Sequence, residues 1–86
     1  MALSEPVHAI RRLGAPAQIG AIVIAEQAID AYLDGCRRPD DRATALDILL
    51  RDLARLRLLE PDLDGFIGEV ERYIDLLHRD LSRRAA

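Results

Sequence analysis

Apolar residues return along this chain at intervals of three and four and nowhere alternate one by one, so the pattern predicts helices and no strand. Leu3, Val7, Ile10 and Leu13 fall on one side of a short first helix within residues 1–15. Ser4 is placed to cap it, and Pro6 sits in the first turn, where proline is tolerated. Gly14 and Pro16 end it. A second helix is expected from Pro16 or Ala17 to Asp34, within 16–35, with Gly35 just past its end and Arg37, Arg38 and Pro39 in the turn. Pro39, Asp40 and Asp41 open a third helix over 40–59, with carboxylates at its positive end. Glu60-Pro61-Asp62 breaks the chain again, and a fourth helix follows over 61–83. Gly65 and Gly68 weaken its first turns by roughly 1 kcal/mol each relative to alanine.

The stripes indicate how these helices pack. In the third, Leu46, Leu49, Leu53 and Leu56 form a seam that Ile48, Leu50 and Leu59 widen. In the fourth, Leu63, Ile67, Val70, Ile74, Leu77 and Leu81 step by four and three as a heptad seam. The short connection between the two predicts an antiparallel pair. The second helix differs, because Glu26, Asp30 and Asp34 form a single acidic line while Ile19, Ile22, Val23, Ile24, Ile29 and Leu33 spread around the rest of its circumference. A helix apolar nearly all round is normally covered on several sides. The expected fold is therefore all-α, a bundle of one short and three longer helices in a single domain over 1–86. Gly20, Ala21, Ala25 and Ala28 would admit a close second helix.

Length makes this more pointed. At 86 residues and 9.6 kDa the chain holds one small domain, and domains of this size bury only about 60% of the surface of the unfolded chain. More apolar face is present than so short a chain comfortably hides, so self-association is expected, through Ile19, Ile22, Val23, Ile29 and Leu33 of the second helix or Ile74, Leu77 and Leu81 of the fourth. Glu26, Asp30, Asp34, Arg37, Arg38 and Arg42 are the charges placed to meet a partner, with Arg51 and Arg55 positioned to reach the acidic line. Asp47 with Arg51, Asp75 with Arg79 and Glu69 with Arg72 read as local helical pairs worth ~0.2 to 0.5 kcal/mol each.

Charge and chemistry narrow the function classes. Twelve basic residues, all arginine, stand against fifteen acidic ones, a formal charge of −3, which gives no basic field to draw nucleic acid or an anionic membrane. The longest uncharged stretch, Leu13 to Ala25, is interrupted by Gly14, Pro16 and Gly20 and is too short to span a bilayer, which takes about 20 apolar residues. With one cysteine, Cys36, no internal disulfide is possible, and no signal peptide is visible at the start; the cytoplasm is expected. His8 and His78 lack metal-ligand spacing and read as surface residues, and Cys36 has no histidine base near it in sequence. Catalysis requires convergent titratable groups that the sequence does not display.

Two alternatives have residues to carry them. From Glu60 to Glu71 the chain reads EPDLDGFIGEVE, which resembles an EF-hand calcium loop: Glu60, Asp62 and Asp64, the Phe66 carbonyl and a bidentate Glu71 would supply oxygens, with Gly65 at the sharp bend. Glutamate at the first position, proline at the second and leucine at the fourth depart from that pattern. The other is a small DNA-binding regulator using the Arg37, Arg38 and Arg42 cluster, which lacks aromatic neighbours. The leading expectation is a non-enzymatic protein–protein module needing no cofactor, a small regulatory, inhibitory, immunity or accessory subunit whose partner is itself or another protein.

Overall fold

The computed structural model describes residues 3–13 and 20–85. Among them four α-helices and one short 3-10 turn follow in order, and no strand occurs: α1 (Glu5–Leu13), α2 (Ala21–Asp34), α3 (Pro39–Leu59), the 3-10 turn Pro61–Leu63, and α4 (Asp64–Ala85). The expected start of the second helix at Pro16 or Ala17, and Ile19 with it, lies outside the described residues. Gly20 precedes α2 in the left-handed conformation, at φ 92°, which a side chain at this position would resist. At the other end Gly35 has φ −73° and is not left-handed. The helix closes instead through backbone N–H bonds from Gly35 to the Tyr32 carbonyl and from Cys36 to the Leu33 carbonyl.

α3 begins with its proline in the first turn, where a missing N–H costs nothing, and Asp40 and Asp41 beside it face the positive end of the helix dipole. Pro61 ends the run by opening the 3-10 turn, so α4 starts at Asp64. α1 departs from the expected capping. The Ser4 carbonyl accepts the Val7 and His8 N–H groups, but its hydroxyl is buried without a hydrogen-bond partner among the described residues. The Ser4 backbone N–H donates instead to Asp52 of α3 at 2.8 Å, and Asp52 is buried. A carboxylate supplied by a neighbouring helix thus satisfies one of the N–H groups that a helix start leaves open.

Four helix pairings define the arrangement. Ser4 meets Asp52 and Arg11 meets Glu60, so α1 runs parallel to α3. Asp47 meets His78 and Arg57 meets Glu71, so α3 and α4 are antiparallel. Asp30 meets Tyr73, and further along Asp34 and Asp80 line one groove, so α2 and α4 are parallel. The start of α1 shares a trough with the end of α2, which makes that pair antiparallel. The helices therefore pack in the ring α1, α2, α4, α3. α2 and α3 are consecutive in sequence yet diagonal in space, and the turn between them crosses the end of the bundle.

The core fills this ring with aliphatic side chains. Val7 and Ile10 of α1, Ile29 of α2, Leu49, Leu53 and Leu56 of α3, and Ile67, Val70 and Ile74 of α4 are all fully buried. The heptad seam of α4 thus faces inward and serves the chain's own core. Leu59, expected to widen the α3 stripe, is 60% exposed. The bundle measures 39 by 29 by 18 Å, flat enough that each helix keeps one side open.

Candidate interaction site

The residues nominated for contact with a partner divide between the core and two surfaces. Ile29, Leu33 and Ile74 are buried, and this corrects their expected place on an open face. α2 has α1 on one flank and α4 on the other, and the stripe Ala21, Ala25, Ile29, Leu33 between those flanks is drawn into the core. The small residues Ala21 and Ala25 accordingly ease packing within the chain. Ile22, Leu77 and Leu81 are partly buried against the same core. Val23 and Ile24 remain outside, 54% and 50% exposed, side by side on the outer face of α2.

The second surface is a groove of about 400 Å³ at the end of the bundle where α2 and α4 finish and α3 begins. Leu33, Leu46, Leu77 and Leu81 form its apolar walls, and Asp30, Asp34, Arg42, Asp80 and Arg84 its polar ones. Most of these charges already have partners. Arg84 pairs with Asp80 at 3.2 Å, the Arg42 Nε–H donates to the Cys36 carbonyl at 3.0 Å, and the Tyr73 hydroxyl donates to Asp30 at 2.5 Å. Burial, then the bond to Asp30, then the negative charges of Asp30 and Glu26 push the Tyr73 hydroxyl up to about 12. Arg51 and Arg55 make no ion pair with Glu26, Asp30 or Asp34 among the described residues, because α3 lies diagonally across from α2. Arg37 and Arg38 project from the connecting turn, so of the basic cluster only Arg42 reaches the groove.

The stretch expected to resemble a calcium loop is occupied by the chain itself. Gly65 and Phe66 are already helical within α4, so Gly65 makes no sharp bend, and Phe66 is buried. Glu60 pairs with Arg11 at 3.1 Å. Asp64 and Glu71 converge on Arg57 from the first two turns of α4, at 2.6 and 2.5 Å. The hydrogen bonds that Arg57 donates to Glu71 first, then, against the lowering by burial, the charges of Glu71 and Asp64, raise the pKa of the Arg57 guanidinium above its usual value. Asp62 stays exposed in the 3-10 turn. Two of the stretch's carboxylates, Asp64 and Glu71, thus serve as a clasp between α3 and α4, with arginine as the cation. No group of three or more histidine, cysteine, aspartate or glutamate side chains placed to hold a metal is found among the described residues.

His78 is half-buried, its Nε2 3.1 Å from Asp47 of α3. This corrects both its expected surface position and the expected pairing of Asp47 with Arg51. Asp75 with Arg79 and Glu69 with Arg72 do pair locally, at 3.0 and 3.3 Å. Cys36 is half-buried in the turn, and its thiol donates to the Tyr32 carbonyl at 3.9 Å. Sequence reading missed Tyr73, Asp52 and Arg57, whose partners come from other helices, and the pair Asp80 and Arg84, whose spacing of four did signal a helical ion pair. No helix among the described residues is long and apolar enough to cross a membrane. No family model, curated protein or solved structure matches the chain.

Proposed function

We propose that this chain is a non-enzymatic protein–protein interaction module, a small regulatory, inhibitory or accessory subunit of the cytoplasm, that associates with itself through the outer face of α2. The observation that carries this reading is the exposure of Val23 and Ile24, 54% and 50%, on a helix whose only charges are Glu26, Asp30 and Asp34. Isolated surface aliphatics are ordinary. Here they sit together on a face that continues into Gln27 and Ala31, both uncharged and both exposed. Asp30 and Asp34 turn aside toward the groove.

The test is the mass of the chain in solution by light scattering at tens of micromolar. A mass twice the 9.6 kDa of one chain is expected, falling to that of one chain in Ile24→Asp with its helical circular dichroism unchanged. A wild-type chain that scatters as a single copy throughout this range overturns the reading.

A further inference from the structure

Beside the exposed pair on α2 lies an apolar trough of about 270 Å³ between α1 and α2, lined by Glu5, Pro6, Ala9, Ala28, Ala31 and Tyr32. Its floor is made of small side chains, which let a second backbone come close. Ile24 stands one helical turn before Ala28 on the same helix, and Ala31 and Tyr32 stand about one turn after it. A projecting aliphatic and a recess thus lie at equal distances to either side of Ala28. Surfaces with that property are complementary to themselves under a two-fold axis, where each copy gives the same patch.

The charges on this face obey the same symmetry. Glu5 and Arg12 are exposed on α1 and have no ion-pair partner among the described residues. They are of opposite sign and stand seven residues, or two turns, apart on one side of the helix, with Ala9 between them. An axis that sets α1 antiparallel to α1 of a second copy near Ala9 carries Glu5 over the other chain's Arg12 and Arg12 over its Glu5. Because α1 and α2 are antiparallel and Ala9 shares the trough with Ala28, the same axis passes near Ala28. It then seats Ile24 against Ala31 and Tyr32 of the second copy. Apolar fit and charge pairing call for one axis.

We infer that the occupant of the α1–α2 face is a second copy of this chain, bound antiparallel about a two-fold axis near Ala9 and Ala28, with Ile24 in the opposing trough and Glu5 paired to Arg12 across the interface twice. This rests on the self-association proposed above and adds the axis, the trough and the ion pairs. The test uses the full chain in sedimentation equilibrium, with Glu5→Arg, Arg12→Glu and the double exchange. Each single variant sets like charges together at two places and is expected to weaken the dimer about tenfold. The double exchange restores the opposite charges and is expected to return to within about threefold of wild type. As a second readout, Ala28→Cys in a Cys36→Ser background is expected to form a covalent dimer on mild oxidation, since the axis brings the two copies of residue 28 together. A wild-type dimer that is indifferent to both single reversals, a double exchange no better than either single one, or a residue-28 cysteine that fails to cross-link overturns this geometry and leaves self-association standing. A wild-type chain that stays single overturns both.

Discussion

Tyr73 and Asp30 show how one hydrogen bond ties two parallel helices together and leaves a measurable trace. Partial burial of the ring first, and then the bond the hydroxyl donates to the carboxylate at 2.5 Å, raise its pKa from 10.0 to about 12. The sign follows from linkage: the folded chain holds this proton more tightly than the unfolded chain does, so the contribution to stability is complete below about pH 10 and is lost as pH rises through about 12. Asp30→Asn keeps an acceptor but removes the charge. In a Tyr32→Phe background, ultraviolet titration of this variant is expected to move Tyr73 downward toward 10, and its thermal midpoint should change little between neutral pH and pH 10. A Tyr73 titration unmoved by the change would show that burial alone sets the value. At neutral pH the loss should be small, because Asp30 lies at the surface and exposed polar pairs contribute at most ~1 kcal/mol.

The helices differ in how firmly their own residues hold them, and α4 carries the clearest excess cost. Gly65 and Gly68 lie inside it, and a β-carbon at either position meets nothing within 4 Å. Replacing both by alanine is expected to stabilise the fold by roughly 0.5 to 1 kcal/mol each, through propensity and a less flexible unfolded chain. Denaturant melts in which the double variant gains nothing would mean that the first turns of α4 are held wholly by the Arg57 clasp. The ends of α3 and the start of α4 were legible in the sequence because Pro39, Asp40, Asp41 and Pro61 act locally, each within one turn of the boundary it sets. At the start of α2 the sequence offers two boundary residues, a proline at 16 and Gly20, and Gly20 is left-handed directly before Ala21. Neighbours were less legible still. Periodicity assigns each helix an inward face but does not name what it faces, so the parallel pairing of α2 with α4 stayed hidden. So did the role of Asp52, whose partner lies 48 residues away. Asp30, Asp34 and Arg42 drew notice as an acidic line and part of a basic cluster, but that they border one groove depends on how α2, α3 and α4 meet, just as Asp64 and Glu71 meet only through Arg57 on another helix.

For the whole molecule, the ring of four helices separates what holds the chain together from what it offers to a partner, and α2 carries both within five residues. Ile29 is fully buried at the point where α1 and α4 flank α2, and Ile24, on the other side of the same helix, is half exposed. Domains of this size are stable by only about 5 to 10 kcal/mol. A carboxylate buried without a partner costs more than ~4 kcal/mol, on top of the lost aliphatic contacts. Ile29→Asp is therefore expected to abolish the fold outright, with the loss of most helical circular dichroism at room temperature, because no polar group of the described core stands ready to receive the new charge. Ile24→Asp places the same chemistry in solvent and should leave the melting transition cooperative and near its wild-type midpoint while the mass falls to one chain. The contrast is the decisive measurement. If both variants unfold, the outer face of α2 is needed for the fold itself and the dimer is obligate; if Ile29→Asp folds and merely dissociates, α2 is rotated from the orientation that buries Ala25 and Ile29, and the inward and outward faces must be exchanged.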